Sequence, residues 1–90
     1  MSRPLANESV FRAVADPTRR RIIELLQKGD RAPSDLAQSI EASHQTLSHH
    51  LAVLRTSGVV VQRREGRSRV YSLQIDILRP ASRWLTAQVA

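Results

Sequence analysis

The chain has 90 residues, enough for one small domain with a single core, and it contains no cysteine. Without thiols it can form neither a disulfide nor a cysteine-ligated metal site. Its formal net charge is +6, and arginine supplies all of its basic residues except Lys28. Arginine's planar fork suits phosphate oxygens and guanine edges, so the composition favours a polyanionic partner, most often nucleic acid. No apolar run is long enough to span a membrane and no signal-peptide pattern is present, so the sequence predicts an intracellular protein without membrane association.

The N-terminal third of the sequence predicts two helices. A loose lead-in over residues 1–6 precedes Asn7, which is expected to cap a first helix over about 8–15. Asp16 and Pro17 then mark a break and a restart. The aspartate is expected to be the N-cap of the second helix, and the proline its first residue.

Three consecutive arginines, residues 19–21, lie in the first turns of this second helix. Cations at that end oppose the helix dipole, which makes them slightly unfavourable where they stand. They either contact phosphate or form a solvated basic face, and the sequence leaves both interpretations open. The helix is expected to end near Gln27, with a broad apolar face made of Ile22, Ile23, Leu25 and Leu26.

The middle of the chain predicts a helix-turn-helix over about 33–57. A short helix over 33–39 and a turn of three or four residues lead into a longer helix, which Ser43 caps and Gly58 ends. One face of the longer helix is an apolar stripe of Leu47, Leu51 and Leu54. The opposite face carries short polar side chains that both donate and accept hydrogen bonds, as major-groove base edges require. These are Gln45, Ser48 and His49, with Ala52 on the same face and Thr46 beside them. The alternative is an ordinary amphipathic surface helix.

After Gly58 the hydrophobic period changes from helical to alternating, which predicts a β-hairpin over about 59–73 with a turn at 65–68. Four arginines and one glutamate lie between positions 63 and 69. A basic hairpin directly after a recognition-type helix is typical of a winged helix, in which these arginines reach phosphates or a minor groove. They are Arg63, Arg64, Arg67 and Arg69. The alternative is a solvated hairpin tip.

The last stretch, about 76–90, returns to helical spacing, with Asp76 expected as the cap and Pro80 in the first turn. Its apolar side consists of Ile77, Leu78, Ala81, Trp84, Leu85 and Val89. One exposed terminal helix should not be so apolar, so we expect a dimer interface, shared with the first helix. The alternative is that this helix only packs on its own domain.

With these parts in place, the sequence resembles the ArsR/SmtB family of bacterial winged helix-turn-helix repressors over roughly residues 8–75. The signature residues are Asp-Pro-Thr-Arg-Arg at 16–20 and Ser-His-His-Leu-x-x-Leu at 48–54. The resemblance implies a mainly α fold with a small β-hairpin, forming a single winged helix domain over 1–90: four helices, two strands and a fifth helix. It also implies a cytoplasmic homodimer, associated with the nucleoid when bound. Such a dimer binds an imperfect palindromic operator in double-stranded DNA and represses its own or a neighbouring operon.

The predicted site residues form three sets, of which the first is carried over position by position from the resemblance and the other two come from the charge and hydrophobic patterns above. DNA reading by the recognition helix falls to Ser43, His44, Gln45, Thr46, Ser48 and His49. The wing contacts are the four arginines named above, and the dimer interface comprises Val10, Leu78, Ala81, Trp84 and Leu85. His50 corresponds to a position that packs under the helix, so it is excluded from the DNA contacts.

The departures from the family concern metals. Many members sense metals through cysteines on the third helix, but residues 31–37 contain no thiol. Others bind zinc through Asp, His and Glu on the last helix, whereas residues 76–90 contain Asp76 but neither His nor Glu. We therefore expect no metal and no cofactor, and the resemblance is nearest to the short branch that includes autorepressors. An unknown inducer or protein partner would then release the protein from DNA.

Rival functions fit less well. Ser48, His49 and Asp35 do not form a catalytic triad, because helix neighbours about 100° apart do not face each other. A chelate of His44 and His49 would have a poor spacing on one helix. RNA modules depend on aromatic stacking, and this chain has only Phe11, Tyr71 and Trp84, all expected to be buried. The remaining alternative is a winged helix for protein–protein interaction, or a regulator released by a ligand or partner whose DNA binding is secondary.

Overall fold

The computed structural model describes residues 6–89, with side chains from Glu8 onward. In that range the elements are α1 (Ala6–Val14), α2 (Pro17–Gln27), α3 (Pro33–Ser39), α4 (His44–Thr56), β1 (Val60–Glu65), β2 (Ser68–Leu73) and α5 (Ile75–Val89). The mainly helical fold with one antiparallel hairpin is confirmed. The expected lead-in over residues 1–5 lies outside the described part. Asn7 is within α1 rather than before it, and its side chain also lies outside the described residues.

Helix α2 begins as its sequence predicts. The carboxylate of Asp16 accepts a hydrogen bond from the backbone N–H of Arg19 at 3.0 Å, and Pro17 follows at the first helical position. The apolar face of α2 is buried, in Ile22, Ile23, Leu25 and Leu26. Burial of such side chains contributes about 1.5–3 kcal/mol each, so this face anchors the helix in the core.

The core lies beneath the helix-turn-helix. Residues 40–43 separate α3 from α4, which agrees with the predicted turn of three or four residues. Leu36 of α3 is fully buried, and so is the predicted leucine stripe of α4, made of Leu47, Leu51 and Leu54. Gly58 has φ of +84°, the left-handed conformation that ends α4 at low steric cost. The core therefore holds α4 by one face and leaves the other free.

The hairpin pairs in register from Val60 opposite Leu73 to Glu65 opposite Ser68. Its two-residue turn begins at Gly66 with φ of +60°, as a type II′ turn requires. A contact that the sequence did not predict lies on the outer side of β2. Here Arg31 donates its N–H to the Tyr71 carbonyl at 3.1 Å and accepts the Tyr71 N–H at 2.8 Å. This bridge attaches the wing to the segment between α2 and α3.

Helix α5 differs from its sequence prediction at its start. It begins at Ile75, so Asp76 lies in the first turn rather than at the N-cap, and its carboxylate is 3.6 Å from the Nε of Arg79. Pro80 is the sixth residue and therefore lies beyond the first turn, where it removes the hydrogen bond that the Asp76 carbonyl would receive. Within the described range, no helix combines the length and apolar character needed to cross a membrane.

Candidate nucleic-acid interface

The N-terminal end of α4 is fixed by a hydroxyl pair. The Oγ of Ser43 accepts the backbone N–H of Thr46 at 3.0 Å, and its own O–H donates to the Thr46 Oγ1 at 2.8 Å. This confirms the predicted cap and leaves the Thr46 hydroxyl proton available to an outside acceptor. The first turn of α4 therefore presents ordered polar groups rather than freely rotating ones.

The predicted reading residues share one exposed surface. They lie at the cap and along the first turns of α4, with Gln45 and His49 opposite the buried leucines, and all are exposed: Ser43, His44, Gln45, Thr46, Ser48 and His49. Helix α4 contains no acidic residue, so its exposed face does not repel phosphate. We call these six residues the reading face.

A groove beside the reading face brings in residues that the sequence analysis missed. Ser9 and Arg12 of α1 lie across from His49 and Thr56 of α4, around a cavity of about 400 Å³. Arg12 is exposed and places a guanidinium at the edge of the reading face. No local pattern could have indicated it, because Arg12 and His49 meet only when two separate helices pack.

Two of the three arginines at the start of α2 bind the end of α1, whereas Arg21 is exposed and pairs with Glu24 at 3.3 Å on the surface of its own helix. Arg19 donates from Nε to the Ala13 carbonyl at 2.7 Å and from Nη2 to the Arg12 carbonyl at 3.1 Å. Arg20 donates from one nitrogen to the Val14 and Ala15 carbonyls, each at 2.9 Å. Both guanidiniums therefore satisfy the free carbonyls at the C-terminal end of α1, where the helix dipole favours a cation.

His50 lies under α4, as expected. The residue is 9% exposed, and its Nδ1 is 3.1 Å from the Nη1 of Arg19. Its Nε2 is 3.8 Å from the Oδ2 of Asp16. The backbone N–H of Arg19 holds the pKa of Asp16 below its ordinary value, and the positive charge of Arg19 acts in the same direction. One polar cluster therefore joins the N-cap of α2, the end of α1 and the buried side of α4.

One of the predicted wing arginines, Arg63, already binds two carboxylates of its own chain. Arg63 donates from Nη1 to Asp30 at 2.7 Å and to the Ser72 hydroxyl at 2.8 Å, and from Nη2 to Glu65 at 2.9 Å. The hydrogen bond from Arg63 lowers the pKa of Asp30, and the two carboxylates raise the pKa of Arg63. Its charge is compensated, so Arg63 mainly fastens the wing to the segment that follows α2.

The other wing arginines are arranged differently. Arg64 and Arg69 stand directly opposite each other in the hairpin register, and Arg67 is in the turn. No ion pair joins these three to any residue that the structure describes. Like charges on directly opposed positions are unfavourable unless an anion lies between them. A polar cavity of about 340 Å³ lies beside this pair, with Gln62 and Arg63 completing its lining.

The expected dimer surface is an apolar groove between α1 and α5. Trp84 and Leu85 are 52% and 51% exposed, and the Trp84 ring meets Phe11 edge-on, with the ring centroids 5.8 Å apart. Two predicted interface residues need correction, because Val10 and Ala81 are only 2% and 5% exposed and belong to the protomer's own core. Trp84, expected to be buried, is half-exposed in the single chain. Leu78 is half-buried along the same groove.

Metal-ligating residue types are scattered in the structure. Among the described residues, no three His, Asp or Glu side chains converge to hold a metal ion. His44 and His49 are both exposed on α4, while His50 is turned inward toward Arg19.

The sequence profile described as "Bacterial regulatory protein, arsR family" matches residues 16–61, just over half of the chain. The chain belongs to the ArsR family. The match begins at the α2 cap and ends in β1, so it contains the whole helix-turn-helix. The resemblance to bacterial winged helix regulators is confirmed, and with it the class of protein, a DNA-binding transcriptional regulator and not an enzyme.

Individual ArsR-family proteins resemble the chain over most of its length. The transcriptional repressor SdpR of Bacillus subtilis is 38% identical over 77 residues, which cover 86% of each chain. A crystal structure of an ArsR family transcriptional regulator, RHA00566, superposes with a TM-score of 0.84 at 28% identity, covering 97% of this chain and 90% of that one. The homodimeric winged helix-turn-helix domain of Mb0332 from Mycobacterium bovis has a TM-score of 0.77 at 30% identity. The match covers 92% of this chain and 79% of that one. The family is therefore DNA-binding, and its winged helix fold forms homodimers.

Proposed function

We propose that this ArsR-family chain is a single winged helix domain that acts as a homodimeric repressor. It binds an imperfect palindromic operator in the DNA of its own or a neighbouring operon. The observation that carries the proposal is the reading face, an ordered, exposed and acid-free polar surface on a helix held rigidly by its opposite side. In a bacterial cell such a protein would be cytoplasmic and associated with the nucleoid when bound.

In this proposal α4 lies in the major groove and the reading face contacts base edges. Gln45 offers an amide that pairs with adenine, and the hydroxyls and imidazoles can serve as donors or acceptors at either strand. Thr46 retains one donor because its oxygen already accepts from Ser43. Residues near the start of a recognition helix are those that commonly reach the bases.

The wing supplies contacts that do not depend on sequence. Arg64, Arg67 and Arg69 have no carboxylate partner in the described structure, so their charge is available to phosphate or to a minor groove. The predicted contact by Arg63 stays a prediction with a smaller expected effect, since Asp30 and Glu65 already compensate its charge. Arg12, beside His49, is an additional candidate for a phosphate contact.

The groove between α1 and α5 is proposed as the dimer interface, with Trp84, Leu85 and Leu78 as its main contacts. A two-fold axis through this surface would present two reading helices to half-sites about one DNA turn apart, which explains why a palindrome is expected. SdpR and other relatives are named as repressors, which supports repression rather than activation.

Release from DNA is proposed to be independent of the family's usual metal sites. The chain has no cysteine, and residues 76–90 contain neither histidine nor glutamate, so neither kind of metal site can be built from them. No metal or other cofactor is assigned. An inducer or protein partner would therefore act through another surface.

A gel-shift experiment tests the proposal. The chain is titrated against DNA from upstream of its own gene and against random duplex at near-physiological salt, with zinc and then chelator added. We expect a clear preference for the upstream DNA that neither addition changes. Equal weak binding to both duplexes would contradict sequence-specific binding at that promoter and leave the +6 charge as the only source of affinity.

A further inference from the structure

Beyond the reading face itself, one polar cluster connects it to the dimer surface. Arg19 is at the centre of this cluster and uses three nitrogens on three different acceptors. These are the carbonyls of Ala13 and Arg12 at the end of α1 and the Nδ1 of His50 on α4. We infer that Arg19 and His50 are positioning residues, which set the orientation of the recognition helix α4 relative to α1, one wall of the proposed dimer groove, and thereby the affinity for a two-half-site operator.

The chemistry of the pair fixes which ring nitrogen accepts. A guanidinium can only donate, so the Nδ1 of His50 is the acceptor of this hydrogen bond and the ring N–H is on Nε2. The Nε2 faces Asp16 at 3.8 Å, too long for a hydrogen bond but close enough for the carboxylate to favour that orientation. The ring of His49 is the next group along the same helix, with its centroid 5.6 Å away.

The geometry explains why this link matters for DNA and not only for folding. His50 is the helix neighbour of His49 and Ser48 in the reading face, so a rotation of α4 about its axis moves all three together. The leucine stripe holds α4 against the core but has no directional bonds, whereas the Arg19 bond is directional and charge-assisted. Because Arg19 also binds the end of α1, each recognition helix is tied to the helix that lines the proposed dimer groove together with α5.

This inference rests on the proposed function and predicts a loss of specificity with little loss of fold. His50→Leu keeps the volume but removes the acceptor, while His50→Asn places an amide oxygen close to the position of Nδ1. We expect His50→Leu to weaken operator binding by about tenfold and to leave binding to random duplex unchanged. His50→Asn should restore most of the affinity. If His50 only filled space, His50→Leu would bind the operator more tightly than His50→Asn.

A second variant covers the event that His50→Leu does not fold. Arg19→Lys keeps the positive charge, but an ammonium cannot reach three acceptors in a fixed fork, so it should show the same selective loss. Circular dichroism and sedimentation report fold and dimer formation for each variant. Operator binding by His50→Leu and Arg19→Lys that equals the unmodified chain would overturn the inference.

Ser48→Ala/His49→Ala, measured alongside, separates this inference from the proposed function. If that double variant loses operator preference while His50→Leu and Arg19→Lys do not, the reading face stands and the positioning role is wrong. If none of the variants changes the ratio of operator to random binding, the proposed reading face is itself wrong.

Discussion

Replacing Trp84 is expected to weaken the dimer without unfolding the protomer. A tryptophan buries at most about 250 Å². With 52% of the residue exposed in the single chain, about 130 Å² remains for a partner to cover. At about 25 cal/mol per Å² this corresponds to about 3 kcal/mol per protomer, and a two-fold interface contains the residue twice. The alanine of Trp84→Ala keeps part of this surface, and the partner protomer covers only part of the exposed tryptophan. We therefore expect a net loss of about 3 kcal/mol for the dimer, or about 150-fold weaker association.

Sedimentation equilibrium over a range of protein concentrations measures this constant directly. Arg83→Ala is the matched control, because it removes an exposed polar side chain from the adjacent position of α5. Trp84→Ala also loses an edge contact with Phe11, which costs the protomer about 0.5–1.5 kcal/mol, so circular dichroism must show a folded chain. Leu85→Ser is a second test that leaves this aromatic pair intact. Equal dimer constants for Trp84→Ala, Leu85→Ser and Arg83→Ala would refute an interface at this groove.

Three further expectations concern the wing and the end of α4. Arg64→Ala should weaken binding to the operator and to random duplex alike and reduce the slope of log affinity against log salt by about one. Arg63→Ala should change this slope less, because two carboxylates already compensate the charge of Arg63. An equal change for both arginines would contradict this distinction. The bond from Arg63 keeps the pKa of Asp30 below the ordinary value for an aspartate. Its stabilising effect is therefore complete above that value and is lost as the pH falls through the lowered pKa, which acid titration followed by NMR of the wing should detect and Asp30→Asn should abolish. Gly58→Ala should destabilise the fold by about 1–2 kcal/mol, since φ is +84°; an unchanged thermal midpoint would contradict the strain argument.

Local signals in the sequence predicted much of the fold. The cap at Asp16, the leucine stripe of α4 and the left-handed Gly58 each depend on residues within one or two turns of each other, and each is found as expected. The hairpin turn at Gly66 belongs to the same class, because turn chemistry fixes the register locally. The reading face could be placed on the exposed side of α4 for this reason as well.

The features that the sequence did not predict depend on contacts between distant segments. Arg63 meets Asp30, and Arg19 meets His50, only after the helices and the hairpin have packed. The start of α5 differs for a different reason. Asp76 followed by Pro80 indicates a cap, but helix ends vary by one or two residues; α5 begins one residue earlier and contains the proline beyond its first turn, at the cost of one backbone hydrogen bond.

Base reading by the exposed face of α4 is tested by the ratio of operator affinity to random-duplex affinity for the unmodified chain and for Ser48→Ala/His49→Ala. We expect the double variant to lose about 1–3 kcal/mol for each of its two base contacts at the operator and nothing on random DNA, so that the ratio falls by about 30-fold or more. A footprint and a ratio identical to those of the unmodified chain would contradict it, and would mean that the exposed face of α4 does not read the bases.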